Sequence, residues 1–171
     1  LQKLLGVKVT GRTKHDFTYM DPTKEGESLF TGFTALAPLT VDRAQVTVEV
    51  TDPENLTVLA TRTLPYTPTD TDQFAAIHSN PPGIHTGEPC ALYRKLAHGA
   101  ILWTAAPIEA TRPYMSRQAV HNLVKTLVGE PTFRSNAPKF VEVMNWLKDG
   151  HEYFAAVNQQ EDPPVVPMSD I

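Results

Sequence analysis

The segment from Phe74 to Pro107 constrains this chain most. An apolar run, Phe74-Ala75-Ala76-Ile77, enters His78-Ser79-Asn80-Pro81-Pro82-Gly83, a corner stiffened by consecutive prolines. Ala91–Leu96 and Ala100–Ala105 then flank Ala97-His98-Gly99, a strand–turn–strand pattern in which Gly99 can take positive φ. A helical stripe follows: Met115, Ala119, Leu123 and Leu127, with Val120 and Val124 offset. Thr111 is its expected N-cap, Pro113 sits in its first turn, Gly129 ends it and Pro131 prevents its restart. Strand, loop, strand, strand, helix is how the closing half of an α/β domain is written, so an α/β fold is expected.

The remaining segments are shorter. Residues 7–30 are polar, with Gly11, Asp21-Pro22 and Gly26, and read as a loop holding one short strand at Phe17–Met20. Leu29–Ala37 is apolar and β-prone, ended by Pro38. Ala44–Val50 alternates, placing Val46, Val48 and Val50 on one face; Asp52-Pro53-Glu54-Asn55 turns, and Leu56–Thr61 returns as a hairpin partner. Phe74–Ile77 is expected to be a short buried strand, and residues 78–88 a surface loop. Phe140–Leu147 and His151–Val157 read as strands around Lys148-Asp149-Gly150, the strongest hairpin signal in the chain. The tail around Pro163–Pro167 is extended and proline-rich. The expected division is an N-terminally incomplete α/β domain over 1–130 and a small C-terminal β-unit over 131–171. Leu1, Leu4 and Leu5 before Gly6 resemble a helix end, so the chain is expected to be a piece of something longer.

Composition narrows the partners. With 171 residues, 41% of them hydrophobic and 20% charged, the chain can bury a globular core. A net charge of −4 and no basic run argue against nucleic acid. No apolar stretch approaches the ~20 residues of a membrane-spanning helix. Cys90 is the single cysteine, which rules out an internal disulfide and fits a reducing compartment; a cytoplasmic location is expected. Asn55-Leu56-Thr57 has glycosylation spacing, but reads here as a turn leading into a strand.

No catalytic set assembles from the residues. Of six histidines, His78 and His85 share one proline-rich loop, seven apart, which is not the spacing of a helical zinc pair. His15, His98, His121 and His151 are expected to be solvated. Cys90 enters a strand and lacks the strand-to-helix turn or helix N-terminus that would activate a thiol, so buried packing is expected. Glu88, Glu109, Glu142 and Asp149 are the candidate carboxylates for glycoside chemistry, although sequence spacing cannot place two across a bond. Glu109 follows a strand and precedes a helix, where open α/β sheets bind ligands; as a first-turn acid it would also simply favour the helix dipole. Asn80-Pro81-Pro82-Gly83 can serve as a rigid loop for a sugar or a neighbouring subunit, or as a structural corner. Trp103 and Trp146 fall within strands, where core packing is the default. The binding candidates are therefore His78, Asn80, His85 and Glu109, with no catalytic residue, metal set or cofactor assigned.

The run Phe74-x-x-Ile77-His78-Ser79-Asn80-Pro81-Pro82-Gly83, with Thr86, Pro89, His98-Gly99, Ala105-Ala106-Pro107-Ile108-Glu109 and Asn122-Leu123, resembles the trimerisation domain of beta-galactosidases and related glycosyl hydrolases. Ala137-Pro138-x-Phe140-Val141-Glu142-Val143 and Ala156-Val157-Asn158-Gln159 resemble the small β-domain that follows it. The turn at Ala97-His98-Gly99-Ala100 departs from the family's glycine-rich hairpin. The resemblance implies a partial flavodoxin-like, glutamine-amidotransferase-like sheet that lacks catalysis. It also implies a role in subunit contact or in shaping a neighbouring active site. Sheet edges left open by missing strands would invite pairing with another copy, so a homo-oligomer is expected. A carbohydrate-binding module using loop 78–88 and exposed aromatics such as Tyr66, Tyr93 or Tyr114 is the alternative. A small hydrolase pairing His78 or His85 with Glu88 or Glu109 is the third reading.

Overall fold

The computed structural model describes residues 2–67, 72, 74, 80–111, 114–130, 133–138 and 141–158. The chain divides into two compact units, Leu1–Gly129 and Glu130–Ile171.

The first unit is built on antiparallel strands. A single helical turn, α1 (Gln2–Leu5), leads into β1 (Val7–Arg12), and β2 (Thr18–Pro22) follows. Then come β3 (Leu39–Val41), β4 (Val46–Val50), β5 (Thr57–Pro65), the long β6 (Pro82–Leu96), β7 (Gly99–Thr104) and the helix α2 (Tyr114–Val128). Five strands form one sheet in the order β3-β2-β5-β6-β7, and β1 pairs with β4 in a separate ribbon. The ribbon is tied to the larger sheet through the Val46 N–H, which donates to the Ala105 carbonyl at 2.8 Å.

Both faces of the larger sheet are covered. On one side Met20, Leu39, Val41, Leu59, Cys90 and Ala91 pack with Phe30, Ile108, Ala119 and Leu123. Ala119 and Leu123 come from α2, which is anchored where the Asn122 side chain donates to the Leu29 carbonyl and the Thr31 hydroxyl. On the other side Leu5, Val7 and Leu92 form a smaller cluster with Val48, Val50, Val58 and Ile101. A strand with apolar cover on both faces loses the clean alternation of a half-exposed one.

The expected α/β fold is corrected: the described residues form mostly antiparallel strands, with one long helix, one α-helical turn and two 3-10 turns. A flavodoxin-like sheet needs parallel strands joined by crossover helices. Here β5 and β6 run antiparallel, and no helix stands between them among the described residues. The hairpin expected between Ala44–Val50 and Leu56–Thr61 does not form, since β4 pairs with β1 while β5 pairs with β2 and β6. Residues 82–88, expected as loop, are the first half of β6. Pro82, Gly83 and Gly87 sit where the register against β5 shifts, so they bulge the strand instead of ending it. Leu29–Ala37 is a chain of turns, not a strand, in which Phe30 is buried in the core and Leu29 and Phe33 pack against it. Phe74 is exposed rather than in a buried strand, and residues 75–77 lie outside the described residues. The expected β6–β7 hairpin is present. So is the helix, although Thr111 donates its hydroxyl back to the Ile108 carbonyl and Pro113 lies outside the described residues.

The second unit holds the expected hairpin, β8 (Val141–Lys148) and β9 (His151–Asn158), paired in full register from Val141↔Asn158 to Lys148↔His151. Asp149 and Gly150 both take positive φ, at 52° and 76°, as a two-residue turn matched to strand twist requires. No helix among the described residues is long and apolar enough to cross a membrane.

Candidate functional site

Two regions carry the chemistry, one in each unit. In the first, strand register assembles a polar row. Tyr19 in β2 lies opposite Thr63 in β5, which lies opposite His85 in β6. Asp21, two residues beyond Tyr19, projects to the same side. His85 Nδ1 lies 3.0 Å from Asp21 Oδ2 and 2.9 Å from the Thr63 hydroxyl. The His85 side chain is half exposed while Asp21 is buried, and Asp21 Oδ1 has no hydrogen-bond partner among the described residues. Tyr19 donates its hydroxyl to the Asn80 carbonyl, and burial raises its phenol above the usual tyrosine range.

The next residue along β5 points the other way. Arg62 is 1% exposed, with Nε donating to Gln45 Oε1 at 3.3 Å and Nη2 to the Val46 carbonyl at 3.0 Å. Its Nη1 meets the Glu88 carboxylate, whose side chain is 56% exposed. Gln45 is itself buried and donates to the Thr18 hydroxyl at 2.8 Å. A cleft of about 210 Å³ opens over this pair, lined by Lys14, His15, Arg62, Leu64, Thr86 and Glu88 among others. His15 is buried here, not solvated as expected.

The sequence candidates are thus distributed differently from the expectation. His85 meets Asp21 and Thr63, not Glu88 or Glu109. Asn80 turns its amide inward: Oδ1 accepts from the Thr67 N–H and hydroxyl, both at 3.0 Å, and Nδ2 donates to the Thr67 carbonyl at 2.8 Å. It works as a clamp on the chain beyond β5. Glu109 is exposed on a 3-10 turn spanning Ile108–Ala110, not on the first turn of α2. His78 lies outside the described residues. Cys90 is fully buried, and burial pushes its thiol far above the usual range against the smaller opposing pull of Arg62. Asp21 and Arg62 went unnoticed in the sequence; an arginine in the middle of the β-prone stretch Thr57–Leu64 was the available signal. Among the described residues no group of His, Cys, Asp and Glu is placed to hold a metal ion.

The second region is the β8–β9 ribbon. Residues alternate across it, so Glu142, Met144, Trp146 and Lys148 share a face with His151, Tyr153, Ala155 and Val157. On that face Met144, Trp146, Tyr153 and Val157 are all exposed, contrary to the core packing expected for Trp146. The Trp146 and Tyr153 rings, directly opposite each other, stack with centroids 5.8 Å apart and planes 12° from parallel. On the opposite face Phe133 packs on Phe154 at 5.3 Å. The ribbon has only two strands, and no third strand joins it among the described residues.

No protein family model, curated protein or solved structure matches this chain.

Proposed function

We propose that this chain is an assembly module that associates with a second copy of itself through the Trp146 face of the β8–β9 ribbon. One observation carries the reading: a continuous exposed apolar row, Met144, Trp146, Tyr153 and Val157, on a two-stranded sheet. An isolated two-stranded hairpin is marginal in water, so covering this face stabilises the ribbon itself. Aromatic side chains presented this way are typical of contact surfaces.

The charges on the same face favour a second copy as the occupant. Lys148 and His151 stand at the turn end, and Glu142 stands at the base. Two ribbons stacked face to face in opposite directions set Lys148 of each over Glu142 of the other. The same stacked rings suit a sugar as well. Self-association is preferred because Met144 and Val157 extend the row well beyond the rings. Assembly in this form does not depend on the α/β frame that the beta-galactosidase resemblance implies.

The face measures only about 27 Å by 10 Å for eight residues and two strands. Stable interfaces bury about 800 Å² per partner, so ribbon contact alone gives a weak, concentration-dependent dimer. A charge exchange tests the geometry. Glu142→Lys and Lys148→Glu each weaken self-association at low salt, and an equimolar mixture of the two restores it as a heterodimer. Sedimentation equilibrium reads both effects. A mixture no heavier than either single variant would contradict the antiparallel arrangement.

A further inference from the structure

We propose that the cleft in front of Arg62 binds a small carboxylate ligand, and that Glu88 occupies the ligand's seat on the guanidinium in this structure. The inference is independent of ribbon assembly, since it concerns only the first unit.

The two halves of the Arg62–Glu88 pair are held very differently. Arg62 is almost wholly buried, and Gln45 and the Val46 carbonyl fix its plane from within. Such a guanidinium is a preformed fork for a carboxylate, because its orientation is settled before any anion arrives. Glu88 instead reaches it with a side chain that is 56% exposed. The backbone beneath Glu88 is anchored: its N–H donates to the Thr86 hydroxyl at 3.1 Å, and that hydroxyl donates to the Arg62 carbonyl at 2.7 Å. The carboxylate can therefore turn outward by side-chain rotation while the strand stays in place.

The surroundings match a small organic acid. Arg62 and Lys14 outweigh Glu88 in formal charge, so the lining is net positive in a chain that is net negative. Leu64 supplies an apolar wall for a short carbon chain. The cleft's 210 Å³ corresponds to roughly seven waters, the size of an acid of a few carbons. When the ligand's carboxylate replaces that of Glu88, the guanidinium keeps a charged partner and no buried charge is stranded. The released Glu88 carboxylate returns to solvent. Because an attached carboxylate competes with the free one, the intact chain binds weakly.

Propionate is the probe, with propionamide as the neutral isostere and chloride at equal ionic strength as the control. In the intact chain propionate raises the melting temperature and shifts the amide resonances of Thr86 and Glu88, whereas propionamide and chloride do neither. Glu88→Gln removes the competing charge and keeps the side chain's shape. Its response saturates at about tenfold lower propionate. Lys14→Glu, a rim change, weakens the response. Equal effects of propionate and chloride would overturn the proposal. So would a response in Glu88→Gln with none in the intact chain, which would make Glu88 a permanent structural partner of Arg62.

Discussion

Arg62 shows how a single side chain links both sheets of the first unit. It stands on β5, bonds to the backbone of β4 and to Gln45 beside it, and reaches Glu88 on β6. Tyr19 gives a residue-scale prediction that can be read by pH. Burial raises its phenol, so the folded chain holds that proton more tightly than the unfolded one. The contribution is fully present below the ordinary tyrosine value of about 10 and is lost as pH rises through the folded value. Spectrophotometric titration should therefore show one tyrosine ionising later than in Tyr19→Phe, with the Tyr19→Phe chain losing less stability between neutral and alkaline pH. Identical titrations of the two chains would contradict it. His85 was a candidate in the sequence, but its pairing with Asp21 was out of reach. The two are 64 residues apart and meet only through the register of three strands.

Elements differed sharply in how legible they were. The β8–β9 hairpin was readable because its signal is local: Asp149-Gly150 between alternating runs fixes both turn and register. The β6–β7 hairpin and the central part of α2 were readable on the same basis. β6 was misread because Pro82, Gly83, Gly87 and Pro89 normally punctuate loops, and here they occupy bulges of a long strand. The β4–β5 pairing was misread because nearness in sequence was allowed to stand for pairing, whereas β4 is claimed by β1 from 37 residues upstream. Gly26 tests the turns that replaced the expected strand at Leu29–Ala37. A Cβ added there would lie 1.8 Å from the Leu59 carbonyl oxygen, a backbone atom that cannot step aside. Gly26→Ala should cost roughly 2–3 kcal/mol in urea unfolding, as overpacking of a tight core contact does. A change within a few tenths would show that this segment does not lie against β5.

At the scale of the whole molecule, the α/β expectation failed because its element order is shared by folds of different pairing. Order along the chain constrains neighbours, but parallel or antiparallel pairing depends on where the core lies on each face. The same consideration favours a face over a sheet edge for the proposed assembly. Only Ala91–Leu96 of β6 pair with β7, so residues 82–89 expose backbone on that side among the described residues. Prolines and register shifts blunt exactly that stretch as a template for strand addition. The ribbon of the second unit offers the opposite surface, regular in register and apolar on its Trp146 face. Light scattering of the chain and of Trp146→Ser across a range of concentrations tests whether the ribbon face drives self-association. The chain's mass should rise toward that of a dimer with concentration, and Trp146→Ser should stay monomeric throughout. A monomer at every concentration, or a dimer untouched by Trp146→Ser, would contradict assembly through this face.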